Sequence, residues 1–196
     1  MSSPAIAIYS GSKKNFDWKK VTFYYNIKDQ PAFQKKWKRL GKNSEVWCHG
    51  ESYTNDYRSN IERFKNLGNW ALDCIGRHQT DINKCTIYIE DYALGAKGRT
   101  FEIAENTGIL KYMLEYVKYR YSVVSPTAVK KFATQKGNSD KSKMYDAWMK
   151  DTKSTCDLWK EFTPGRKNLS SPVTDIVDSY FLVKMAVYEV LTTKEK

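Results

Sequence analysis

The chain has 196 residues, enough for one domain with a sizeable core, and its 14 Tyr, 8 Phe and 6 Trp exclude a disordered polypeptide. Lysine and arginine total 33 against 22 acids, a formal charge of +11, which favours a polyanionic partner such as nucleic acid, with solubility as the competing use. Cys48, Cys74, Cys85 and Cys156 form no C-x-x-C pair, His49 and His78 complete no zinc site at standard spacing, and no apolar run is long enough for a transmembrane helix, so a cytoplasmic protein with reduced cysteines is the expectation.

In chain order, Ala5–Tyr9 reads as a strand, Ser10–Asn15 as a turn and Val21–Asn26 as a second strand, together a hairpin with a long loop. Lys28–Ser44 carries Lys35, Lys36, Lys38, Arg39 and Lys42 among Phe33, Trp37 and Leu40. It reads as a loop or a short strand, its basic face turned either to phosphate or simply to water. Ile61, Phe64, Leu67, Trp70, Ala71 and Cys74 recur at helical spacing and predict a helix over Tyr57–Arg77, capped by Asn55 or Asp56. Thr86–Tyr92 alternates polar with apolar residues and predicts a short strand ending on Glu90 and Asp91, before a small-residue loop over Ala93–Gly98.

A second helix is predicted over Ile103–Tyr119, with Ile103, Thr107, Leu110, Leu114 and Val117 inward and Gly108 packed closely on a neighbour. Ser122–Ser125 reads as a strand stopped by Pro126, Thr127–Phe132 as a short helix, Thr134–Lys141 as a polar basic loop, and Lys141–Lys150 as a helix. Lys153–Leu169 reads as irregular. A last helix, capped by Ser170 or Ser171 with Pro172 in its first turn, runs to about Leu191. Ile176, Val177, Tyr180, Phe181, Leu182, Val183, Met185 and Val187 make it apolar nearly all round, hence buried. Strands that cluster early and then alternate with helices indicate one α/β domain over residues 1–196.

Two groups of acids stand out. Glu90 and Asp91 end a strand, where open α/β sheets place ligand-binding groups, although acids in that position are most often simply solvated. Asp175 and Asp178 are three apart on the last helix and share a face. Complementing the helix dipole accounts for Asp175 but poorly for Asp178, which sits further in beside core residues. A buried carboxylate needs a partner, and a hard divalent cation, Mg²⁺ or Mn²⁺, supplies one. Glu90 is the candidate to complete such a cluster.

Three ordered blocks over roughly Thr86–Leu191 resemble RuvC-type Holliday-junction resolvases of the ribonuclease H-like superfamily, in the versions carried by phages. The first is Tyr88-Ile89-Glu90-Asp91-Tyr92-Ala93-Leu94-Gly95, continued by Phe101–Gly108. The second is Ser125–Thr134 followed by Lys136-Gly137-Asn138-Ser139-Asp140-Lys141, similar to the family's P-x-x-V-K…G-x-G-x-x-K segment, with Gln135 and Lys136 where glycine is usual. The third is Asp175-Ile176-Val177-Asp178-Ser179-Tyr180, similar to its closing D-x-x-D helix. Each block is weak alone; the ordered set is more specific.

The resemblance implies a ribonuclease H-like mixed sheet flanked by helices. It implies Glu90, Asp175 and Asp178 as catalytic metal ligands for Mg²⁺ or Mn²⁺, and Lys130, Lys131, Lys136 and Lys141 as contacts to DNA phosphates. Asp91, the strand neighbour of Glu90, points to the opposite face and has no assigned role. The implied activity is paired nicking of four-way or branched junctions by a homodimer, in a host cytoplasm if phage-encoded. The competing readings are a catalytically impaired junction binder and a ribonuclease H-like nuclease on another substrate. The family also has an acid at the end of its first strand, and Met1–Tyr9 resembles the turn and second strand that come after that acid. The expectation is therefore a natural start upstream, the first strand being absent here. The alternative is that Ala5–Tyr9 is the first strand, with Tyr9 in the acid's place.

Overall fold

The computed structural model describes residues 4–28, 47–53, 57–92, 100–153, 157–162 and 167–194. The strands are β1 (Ala5–Tyr9), β2 (Val21–Lys28), β3 (Trp47–Tyr53), β4 (Ile87–Glu90) and β5 (Tyr121–Val124). The helices are α1 (Asn60–Gly76), α2 (Thr100–Tyr116), α3 (Pro126–Thr134), α4 (Lys141–Asp151), α5 (Leu158–Phe162) and α6 (Val173–Lys194). The chain is α/β, with mixed strand pairing and flanking helices, as its pattern predicts. It divides into two units, Asp56–Ala128 and Ser2–Asn55 with Val129–Lys196. Among the described residues no helix is long and apolar enough to cross a membrane.

In the unit that holds both chain ends, the sheet runs β1-β2-β3. The expected hairpin is present: β1 lies antiparallel to β2, with Ala5 opposite Tyr25 and Tyr9 opposite Val21. A 3₁₀ turn at Trp18–Lys20 sits in the connection. β3 pairs parallel to β2, with Tyr25 opposite Gly50. The missing side chain at Gly50 is what lets the Tyr25 ring lie over β3, since a Cβ there would meet that ring. Sequence periodicity does not reveal β3, because Cys48-His49-Gly50-Glu51 mixes polar, small and charged residues. The basic stretch at Lys28–Ser44 lies outside the described residues beyond Lys28.

Val21, Phe23 and Tyr25 are all buried, and so are Tyr24 and Asn26, so both faces of β2 are covered. Phe23 meets Trp148 of α4 edge-on, with ring centroids 5.8 Å apart, and Trp148 meets Tyr180 of α6 at 4.8 Å. Tyr25 meets Phe162 of α5 at 5.5 Å. Each such aromatic removes about 150–250 Å² from water, so these few residues dominate the core. α5 corrects the irregular reading of Lys153–Leu169. Asp157 receives the Lys160 N–H at 2.9 Å, and Leu158 and Phe162, four apart, are both buried. The last helix is not buried all round: Ile176, Val177, Tyr180, Phe181 and Val187 are, whereas Leu182, Val183 and Met185 are only half-buried.

In the other unit β4 and β5 pair in parallel, Ile87 opposite Tyr121 and Glu90 opposite Val124. The cap of α1 is Ser59, whose hydroxyl oxygen receives the Glu62 N–H at 3.2 Å while the Glu62 carboxylate receives the Arg58 N–H at 2.8 Å. The sequence Ser59-Asn60-Ile61-Glu62 is close to a capping box and overrides the expected cap at Asn55 or Asp56, which lie outside the described residues. Phe64, Leu67, Trp70, Ala71 and Cys74 are buried as predicted, but Ile61 is exposed, because it lies in the first turn. On α2, Thr107 and Leu114 are buried, Leu110 is half-buried, and Ile103 and Val117 face water, Val117 having fallen beyond the helix end. The close approach of helices is at Gly68 of α1, which abuts Met113 of α2, and not at Gly108, where a Cβ would meet open space.

Candidate metal and nucleic-acid site

The acid pair lies in the unit that holds both chain ends. Asp175 and Asp178 occupy the first two turns of α6, one turn apart on one face, as their spacing predicts. Thr174 is buried, and Ile176 and Val177 beside the acids are core residues. This packing draws the carboxylates out of water. Burial holds the Asp175 carboxyl above its ordinary range, against the opposing pull of the Ser171 hydroxyl, Lys141 and Thr174. Its Oδ2 is buried and has no hydrogen-bond partner. Burial, then the charge of Asp175, pushes Asp178 up to about 6, with Lys141 and Lys130 pulling the other way.

The lysines come from two neighbouring helices. Asp140 caps α4 by receiving the Lys143 N–H at 2.9 Å, which makes Lys141 the first helical residue. From there its ammonium donates to Thr174 Oγ1 at 3.3 Å. Lys141, Met144, Leu169 and Thr174 line a small cleft that has Asp178 on its wall. Lys130 sits half-buried on α3. The loop between α3 and α4 is pinned by two hydroxyls. Thr134 Oγ1 lies 2.8 Å from the Lys130 carbonyl and 2.6 Å from Ser139 Oγ, and the Ser139 hydroxyl donates to the Lys136 carbonyl at 3.0 Å. Gln135 takes φ 64°, a left-handed conformation that reverses the chain after α3 without a glycine. Lys131 and Lys136 stay exposed on either side of this reversal.

Thus Asp175, Asp178, Lys141 and Lys130 belong to one electrostatic cluster, with Lys131 and Lys136 on the adjoining helix and loop. Glu90 lies in the other unit, exposed at the end of β4. Its neighbour Asp91 is engaged locally. The Asp91 carboxylate receives the Tyr92 N–H at 3.0 Å and faces Lys111 at 3.9 Å. Among the described residues no group of three or more His, Cys, Asp or Glu side chains is placed to hold a metal ion. The pair itself suits one: two withdrawn carboxylates that repel each other, one with an orphaned oxygen, are what a hard cation neutralises. Sequence reasoning took Ser171 only as a candidate helix cap and missed Thr174, Thr134 and Ser139, the other hydroxyls around these acids and lysines. Ser171 lies just before α6, where its hydroxyl bonds Asp175.

No protein-family model matches the chain, and no curated protein matches it. Among solved structures the chain is similar to that of Thermus thermophilus RuvC, at a TM-score of 0.49 and 14% identity, over 74% of this chain and 79% of that one.

Proposed function

We propose that this protein is a metal-dependent, structure-selective DNA endonuclease that nicks four-way or branched junctions. The observation that carries the reading is the Asp175–Asp178 pair: two carboxylates withdrawn from water on one helix face, one of them with a buried oxygen lacking a hydrogen bond. A cation-seeking pair beside lysines matches phosphodiester chemistry, and the order of the three RuvC-like blocks supports the same class.

In this reading Asp175 and Asp178 hold Mg²⁺ or Mn²⁺, with Glu90 as the third acid. A cation held there would supply positive charge for activating water and steadying the leaving oxygen. The chain's own residues do the rest. Thr174 holds the Lys141 ammonium beside the acids, where it meets a phosphate oxygen and moderates the repulsion between the carboxylates. Lys130 contributes a second cation, and Lys131 and Lys136 extend the basic surface along the strand. The formal +11 charge draws DNA to the protein.

A junction has two-fold symmetry and paired nicks require two sites, so a C₂ homodimer follows. Support comes from the outer face of α2, where Phe101, Tyr112 and Tyr116 are among the most exposed large side chains. The site of action in this reading is the cytoplasm, that of the host if the chain is phage-encoded. A second reading, junction binding without cleavage, draws on the fact that the described acids of this cluster are two and not three.

The test is nicking of a labelled four-way junction, a linear duplex and an RNA–DNA hybrid with and without Mg²⁺. Paired, Mg²⁺-dependent nicks confined to the junction, lost in Asp178→Asn and Glu90→Gln, are expected. Tight junction binding with no nicking by the wild type selects the second reading. Preference for the hybrid overturns junction selectivity.

A further inference from the structure

Along α6, within the same unit, lies an open groove. Four rings line it: Phe16 and Trp18 from the β1–β2 connection, and Tyr180 and Tyr188 from α6. So do three cations, Lys19, Lys153 and Lys184. On α6 the groove takes Tyr180, Lys184 and Tyr188, which share one face at four-residue spacing, whereas Asp178, two residues before Tyr180, points to another face and lines the cleft with Lys141. The groove and the acid site are therefore on different faces of α6 within one unit.

The rings are held in place. Phe16 packs on Tyr9 at 4.8 Å and on Tyr180 at 5.8 Å between centroids, and Tyr188 packs on Phe132 at 5.9 Å. The Lys184 ammonium lies 5.8 Å from the Phe16 centroid and 6.0 Å from that of Tyr188, so one cation serves both rings. Tyr188 nevertheless stays 46% exposed.

The acids of the groove are committed internally. Asp151 accepts from the Tyr180 hydroxyl and from Lys184 at 2.6 and 2.7 Å. Asp17 accepts the Lys19 N–H at 3.0 Å as a cap. Lys184 offsets the charge of Asp151, and Asp17 is outnumbered by Lys19 and Lys153. Lys153 follows α4 at φ 55°, where glycine is the easier residue, yet it places an exposed cation at the rim.

Flat ring faces beside ammonium groups are the surface that takes a nucleobase together with its phosphate. A paired duplex keeps its bases stacked and cannot reach the rings. An acidic peptide would use the lysines but leave the rings without flat partners. We infer that this groove is a binding subsite for unpaired nucleotides of a DNA strand, with Trp18 and Tyr188 as stacking platforms and Lys19 and Lys153 on the phosphates. The inference takes its ligand class from the nucleic-acid reading above but does not depend on the acids or on cleavage.

The test is fluorescence anisotropy of the full chain with oligo-dT and with a blunt duplex of equal length, in chelator. Trp18→Ala and Tyr188→Ala should each weaken oligo-dT binding about tenfold and leave the duplex unchanged, whereas Trp18→Phe retains most of the affinity. Lys153→Ala should lower the slope of log affinity against log salt by about 0.7. Should Trp18→Ala not fold, Lys153→Glu and Tyr188→Ala carry the same comparison. Photo-cross-linking of 5-iodouracil oligonucleotides should label peptides containing Phe16, Trp18 or Tyr188. Unchanged oligo-dT affinity in every variant, equal losses on the duplex, or labelling elsewhere would overturn the subsite. Junction nicking with oligo-dT binding unaltered by these variants sinks the subsite and spares the endonuclease. Ring-dependent oligo-dT binding without nicking does the reverse.

Discussion

A carboxylate drawn out of water beside another carboxylate favours folding only when it is protonated or paired with a cation. Asp178 is such a group. Its folded pKa of about 6 exceeds its ordinary 3.8, so between these values the folded chain holds a proton that the unfolded chain has released. Stability from this group is therefore full at low pH and lost as pH rises through about 6. In chelator, urea unfolding should show stability falling by ~2–3 kcal/mol between pH 4 and pH 8, and Asp178→Asn should flatten much of that fall. Mg²⁺ at pH 8 should raise the wild-type midpoint and leave that of Asp178→Asn nearly unmoved, since a cation that binds only the folded state stabilises it. A wild-type midpoint indifferent to Mg²⁺ would remove the acids from metal binding. At Lys130 and Lys141 the expectation concerns salt. Each change to Ala should lower the slope of log junction affinity against log salt by about one, and unchanged slopes would place these lysines away from DNA.

Among the elements, short segments depend on side chains far away in the chain. α5 has only five residues, too few to stand alone. Asp157 holds it at its start and also accepts the Tyr145 hydroxyl of α4 at 2.8 Å, while the Tyr145 oxygen accepts the Trp159 N–H at 2.9 Å. Asp157→Ala breaks the cap and leaves the buried Tyr145 hydroxyl without that acceptor. The expected cost is about 1–3 kcal/mol in urea unfolding, with faster amide exchange at Trp159 and Lys160. Loss of stability without faster exchange in α5 would show that the cap is not what holds the helix. The loop before α4 is held locally instead, by the Thr134 and Ser139 hydroxyls.

For the molecule as a whole, the proposed protein partner is a second copy. Phe101 is 85% exposed, Tyr112 68% and Tyr116 78%, and Tyr112 and Tyr116 stand one turn apart with ring centroids at 6.4 Å. Gly108, between Phe101 and Tyr112, leaves open space over the same stretch of helix. Such a face suits helix-on-helix association. Tyr112→Glu with Tyr116→Glu should convert a dimer to a monomer in sedimentation equilibrium and abolish paired but not single nicks. A wild-type chain that stays monomeric at micromolar concentration, with and without junction DNA, would sink the homodimer.

Amino-acid order alone sets the local features of this chain. The β1–β2 hairpin, the helices α1, α2, α4 and α6, and the shared face of Asp175 and Asp178 all arise from spacing within one segment. Packing between segments settled what covers each face. Periodicity gave Ile61, Ile103 and Val117 the same inward standing as Phe64 and Leu114, yet burial needs a neighbour as well as a stripe, and only the latter two have one. The strand β3, with no clear period of its own, exists through its parallel pairing to β2. The chemistry divides in the same way. The D-x-x-D spacing placed two acids side by side. Their raised proton affinity arose only when the packing of α6 removed water, and Lys141, brought from 33 residues away to bond Thr174, opposes it, because desolvation and charge act through space and not along the chain.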